Sequence, residues 1–188
     1  MTPPLVITLS VFGVILIWIL ATANRFVRLG QHMRESWADI DVELKRRYDL
    51  VPNLVEAVKG YARHERATLE RVIELRNRAA ANSGIASSQG NDESELMLGV
   101  KQLFALAEAY PDLKADQHFL ELQRELALTE DRIAAARRFY NGNARTLNVL
   151  RESIPTNLIA WVMEVEPASY FELASTAERV VPRLGMAE

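Results

Sequence analysis

His64 and Glu65 open a pattern that, if completed, would build a hydrolytic zinc site. In that pattern two histidines four residues apart grip the ion from one helical face, and the glutamate beside the first activates water. Thr68 stands where the second histidine is required. His32 and His118 stand alone, and none of the 3 histidines follows a glutamate by three positions. The Glu-x-x-His signature of di-iron bundles is therefore absent too, and His64 reads as a surface or interhelical histidine. Paired carboxylates fare no better: Asp39 and Asp41 lie about 200° apart around a helix and cannot share a proton as a dyad. Glu130 and Asp131 are adjacent and point different ways. There is no nucleophile elbow, no phosphate-cradling glycine loop and no dinucleotide fingerprint. With 0 cysteines, thiolate nucleophiles, thiolate zinc sites and iron–sulfur clusters are all excluded. The expectation is a protein that is not an enzyme and carries neither cofactor nor metal.

The basic triplet Lys45-Arg46-Arg47 is the remaining candidate for function. Three consecutive helical residues spread over roughly 200° and form no narrow patch. Asp41 precedes Lys45, and Glu43 precedes Arg47, by the four residues that stabilise a helical ion pair. Two readings stay open, a solvated salt-bridged face and an interaction surface. The second would consist of Lys45, Arg46, Arg47, Asp49 and Asn53, gathered at a corner made by Pro52. Lipid headgroups fit the triplet less well, because it lies roughly 33 Å of unbroken helix beyond Ala23.

The elements that must carry these residues are helical throughout. Charged residues make up 25% and hydrophobic ones 49%, the balance of a folded chain of one domain. A net charge of -3 gives no basis for nucleic-acid binding. Residues 5–23 are uncharged and about 28 Å long as a helix, close to the thickness of a bilayer's hydrocarbon core. A cleaved signal peptide ending at Ala21-Thr22-Ala23 competes with this reading, but the leader lacks a basic side chain and the run is longer than a signal core. A buried soluble helix would rarely be so uniformly apolar. Residues 1–27 are thus expected to form a transmembrane anchor. Arg25, Arg28 and Arg34 follow the span, and the positive-inside rule puts the domain in the cytoplasm.

Phe26, Met33, Trp37, Ile40, Leu44 and Val51 continue the anchor as one stripe. Pro52 predicts a corner or kink over 49–52 and a second helix from about Asn53 to Ala81. The Gly-, Ser- and Asn-rich stretch 82–91 predicts a loop, and a third helix follows from about Glu93 to Ala109. The longest helix runs from Phe119 through Leu126, Ile133, Tyr140 and Leu147 to Ile154 in steps of three and four, with Thr129 and Asn143 as polar interruptions that would specify register. Pro155 ends it. Residues 157–165 are expected to cap the bundle rather than lie on a membrane surface. The reading is an all-α bundle over 28–166 with a tail over 167–188, in which Tyr170 and Phe171 pack before the chain frays.

The motifs Trp37-Ala38-Asp39-Ile40-Asp41-Val42, Leu44-Lys45-Arg46-Arg47 and Asp49-Leu50-Val51-Pro52-Asn53-Leu54-Val55 are similar to those of the LemA family of bacterial membrane-anchored proteins. Ala109-Tyr110-Pro111-Asp112-Leu113-Lys114-Ala115, Thr129-Glu130-Asp131-Arg132-Ile133-Ala134 and Tyr140-Asn141 extend the resemblance. It implies an N-terminal transmembrane helix followed by an elongated antiparallel helical bundle in the bacterial inner membrane, and no known activity. Family members are often encoded near membrane proteases of the HtpX type or near phosphatase-like TPM domains, which suggests a partnership. Gly142, Asn143 and a shortened apolar segment around Trp161 depart from the family pattern. The expected function is a membrane-anchored scaffold or adaptor assisting a membrane protease or an envelope stress system. It would contact lipids through the anchor. A self-assembling homo-oligomer forming rings or clusters, and a hydrolase with an unrecognised site, are the alternatives.

Overall fold

A computed structural model describes residues 3–82 and 84–173, and among them every regular element is a helix. In chain order these are α1 (Pro3–Tyr61), α2 (Arg66–Ala81), α3 (Ala86–Ala107), α4 (Pro111–Lys114), α5 (Gln117–Glu152) and α6 (Thr156–Val162). The expected all-α bundle is present. By its internal contacts the chain divides into two compact units.

The first unit comprises Met1–Ala38 and Arg138–Ala168. The apolar beginning of α1 is exposed along its length, from Leu5 through Phe12 and Ile17 to Leu20. It is long and apolar enough to cross a membrane. Where this run ends, Phe26 packs with Leu147 and Leu150 of α5 and with Ile159 and Ala160 of α6, and Ala23 and Met33 flank the cluster. Trp37 meets Tyr140 edge-on at 5.4 Å between ring centroids. Asn143 donates to Ser36 Oγ at 3.3 Å, so this polar interruption of the α5 stripe has a specific counterpart on α1. After α6 the backbone reverses through Glu164, which has a positive φ of 52°. The chain is then held against α5: Arg151 Nε donates to the Val165 carbonyl at 2.8 Å. Asn148 receives the Ala168 N–H at 2.8 Å and donates to its carbonyl at 2.9 Å. Ile154, expected at the end of the α5 stripe, lies outside it and is exposed, because the helix stops at Glu152.

The second unit comprises Asp39–Arg137 and Ser169–Glu188. Its core gathers Ile40, Val51, Leu54 and Val58 of α1, Val72 of α2, Leu96 and Leu103 of α3, and Leu122, Leu126 and Ile133 of α5. Helices α2 and α3 approach closely at Gly99, where a Cβ would stand 2.9 Å from Leu75 Cδ1. Pro111 occupies the first turn of α4, where its missing N–H costs nothing. Asp116 caps α5 by accepting the Phe119 N–H at 2.9 Å. Phe171 is buried, whereas Tyr170 stays at the surface, so only one of the two expected aromatics packs. The expected fraying beyond it falls on residues 174–188, which lie outside the described residues.

Two expected boundaries are wrong, each for a nonlocal reason. Pro52 does not make a corner: α1 runs through it to Tyr61. A helical proline orphans the carbonyl four residues earlier, here that of Tyr48. Arg76 Nε of α2 donates to that carbonyl at 2.9 Å. Val51, Leu54, Val55 and Val58 are all buried around the site, so packing holds the helix together. The corner falls instead at Ala62–Glu65. The loop expected over 82–91 shrinks to its first residues, since α3 begins at Ala86. Asn82 organises the tight connection by accepting the Gly84 N–H at 2.8 Å and donating to Asp92 at 2.5 Å. Burial of Ala86, Gln89, Gly90 and Glu93 then overrides the weak helix propensity of this stretch.

Candidate functional site

The three side chains of the basic triplet have different fates. Lys45 is exposed and pairs with Asp41 at 2.6 Å, as its spacing predicts. Arg46 reaches Glu125 of α5 at 2.7 Å, both partners being partly exposed. Arg47 turns inward and retains only 2% of its exposure. The expected solvated pair with Glu43 is replaced by Glu93 of α3 and, at 2.5 Å, Glu130 of α5. The cause is helical phase. Ile40, Leu44, Arg47, Val51 and Leu54 are spaced by four, three, four and three residues, which puts the arginine on the buried stripe. That spacing was readable in advance, and the adjacency of Lys45 and Arg46 obscured it.

Glu93 has no solvent exposure. Its carboxylate accepts from the Arg47 guanidinium, from the Tyr48 hydroxyl and from Gln89 Nε2, the last at 2.8 Å. Gln89 also donates to the Ala79 carbonyl in the last turn of α2 at 3.1 Å. Through Arg47 to Glu130 and through Gln89 to Ala79, the cluster around this buried carboxylate ties α1, α2, α3 and α5 together. Burial alone would lower the Arg47 pKa. The Glu130 and Glu93 carboxylates more than offset it, so the guanidinium is held above its ordinary value. Burial, reinforced by the negative charge of Glu93 and by the hydrogen bond donated to it, pushes the Tyr48 phenol far up. Neither group titrates near neutrality. This buried cluster is built to hold helices together.

Because Tyr48 keeps its proton in the folded state, its linkage has a definite sign. Its contribution is complete below the unfolded tyrosine value of about 10 and decays as the pH rises past it, since only the unfolded chain then releases a proton. The expected result is an unfolding free energy, read by urea denaturation, that falls between about pH 9.5 and 11, by at most about 1.4 kcal/mol per pH unit from this residue. Tyr48→Phe should flatten that part of the profile, and an identical slope in the variant would refute the assignment.

Of the five residues expected to form one surface, four remain outside. Lys45, Asp49 and Asn53 recur every four residues as an exposed ridge on α1, with Arg46 and its partner Glu125 beside it. Asp49 is 82% exposed and only 4.0 Å from Arg76 at its nearest. His64 and His118 are at the surface, and His32 contacts Glu35 at 3.2 Å. No group of three metal-ligating side chains occurs among the described residues.

The sequence model of the LemA family matches residues 36–185, from the turn of α1 preceding Trp37 to near the end of the chain. The chain belongs to the LemA family. Protein LemA of Metamycoplasma hominis is 27% identical over 157 residues, covering 84% of this chain and 71% of that protein. The LemA match takes in Arg47, Gln89, Glu93 and Glu130, along with the exposed ridge and Phe171. The exposed apolar run of α1 precedes it.

Proposed function

We propose that this LemA-family chain is a single-pass scaffold of the bacterial cytoplasmic membrane, with its helical domain in the cytoplasm and a partner protein held along the Lys45–Asn53 ridge. The observation that carries the reading is the exposed, uncharged start of α1, which runs as one helix into the family domain. Arg25, Arg28 and Arg34 follow it and set the orientation by charge bias. The ridge supports an adaptor role because Lys45, Arg46, Asp49 and Asn53 offer both signs of charge and an amide from one rigid helix. A membrane protease of the HtpX type is the partner class that the family resemblance suggests.

The test places a photo-crosslinking residue at Asn53 in the full-length chain, in its native membrane, with and without Arg46→Glu. The expected result is a discrete partner adduct that Arg46→Glu diminishes several-fold while helical content is unchanged. Adducts formed only with a second copy of the chain would replace the adaptor by a self-assembling structure. Single cysteines introduced into this cysteine-free chain should react with an impermeant probe at Thr2 only from outside and at Asn53 only from the cytoplasm. The reverse pattern would overturn the orientation.

A further inference from the structure

In the first unit, the end of the apolar run and helix α6 are one packed object. Ala23 and Phe26 of α1 share a cluster with Ile159 and Ala160 of α6. Helix α6 is therefore fixed at the level where the span ends. Its opposite face carries Leu158, Trp161 and Val162, spaced three and one apart and so on one side of a helix. These side chains are strongly exposed, Trp161 by 79%, and Ile154 just before the helix by 86%. Tryptophan is favoured where an apolar body meets headgroups.

A cleft of about 440 Å³ adjoins this face. Arg25 and Arg145 line it, and neither makes an ion pair among the described residues. The hydroxyls of Thr146, Ser153 and Thr156, which also line it, already donate to backbone carbonyls at 2.8, 2.6 and 2.5 Å. Arg25 and Arg145 are thus the cationic residues lining the cleft, and a guanidinium group suits a phosphate. Glu152, Glu164 and Glu166 are exposed on the same stretch, so the cationic side of the site comes from Arg25 and Arg145.

Resting on the anchor reading above, we propose that α6 is a second membrane contact. Leu158, Trp161, Val162 and Ile154 enter the interfacial layer of the bilayer, and Arg25 with Arg145 holds the phosphate of an anionic phospholipid in the cleft. The bundle end is then seated on the membrane surface as well as tethered to it.

The experiment uses the full chain in vesicles of phosphatidylcholine and phosphatidylglycerol. Trp18→Phe with Trp37→Phe leaves Trp161 as the sole tryptophan, and a companion variant retains only Trp18. Lipids brominated near the headgroup end of the acyl chain are expected to quench Trp161 several-fold more strongly than lipids brominated near its end. Trp18 should be quenched by the deeper label. Quenching of Trp18 without quenching of Trp161 would leave the anchor standing and overturn this inference. Loss of both would overturn the two together. Blue-shifted but unquenched Trp161 emission would mean that protein, not lipid, covers the face, and this too overturns it. In the sole-Trp161 background, Arg25→Gln with Arg145→Gln should abolish any excess quenching by brominated phosphatidylglycerol over brominated phosphatidylcholine. A preserved excess would remove the arginines from the site. Should the Trp37 replacement unfold the chain, Trp161→Cys carrying a polarity-sensitive label reads the same depth.

Discussion

Arg47→Ala is expected to destabilise the domain by about 3–5 kcal/mol, the range for removing one member of a buried ion pair. The loss comes mainly from what remains. Glu93 is wholly buried, and without the guanidinium its charge is left with two neutral donors, the Tyr48 hydroxyl and Gln89 Nε2. Since domains are stable by only about 5–15 kcal/mol in total, the variant should approach unfolding at growth temperature. Arg46→Ala, one residue away, removes a partly exposed pair with Glu125 and should cost at most about 1 kcal/mol. The contrast separates burial from charge. Arg47→Met combined with Glu93→Leu should recover most of the stability, because an apolar pair of similar volume avoids the desolvation penalty. Urea denaturation of the three variants decides the matter, and equal midpoints for the two single arginine variants would refute the structural account.

The second large effect is expected at Gly90, although alanine there should favour helix α3 by about 1 kcal/mol on propensity alone. A Cβ at Gly90 would lie 2.1 Å from the Glu172 carbonyl oxygen. The obstacle is backbone, so no rotamer change relieves it. The chain following Ser169 must lift, taking the buried Phe171 ring with it. Phe171→Ala empties the same place from the other side, and a buried phenylalanine truncated to alanine costs about 3–5 kcal/mol. That cost is capped by the free energy with which the segment is docked, since a segment that can detach does so before the core deforms. Both variants should lose amide protection over 169–173 and become sensitive to proteolysis there, while protection in α2 and α5 persists. Unchanged protection around Phe171 in Gly90→Ala would show that the segment is not held against α3.

Features governed by local pattern were legible in the sequence. The stripe through Phe119, Leu122, Leu126, Ile133, Tyr140, Leu147 and Leu150 faces inward as its spacing demands. Thr129 is fully buried within it and returns its hydroxyl to the Glu125 carbonyl at 2.8 Å. Features decided by a distant partner were not legible. No local rule foresees that Arg76 would supply the donor missing at Pro52, or that burial would make a helix of the Gly- and Ser-rich stretch after Ala86. The candidate site was read in composition but not in phase. Lys45, Arg46, Asp49 and Asn53 are surface residues, whereas Arg47 belongs to the core by its spacing from Leu44 and Val51.

The bond from Arg76 to the Tyr48 carbonyl also bears on the order of assembly. The segment around Pro52 has no means of its own to stay helical in water. It completes its helix only once α2 has folded back across it. As a free peptide, residues 39–61 should break at Pro52. The continuity of this part of α1 is thus a late product of docking.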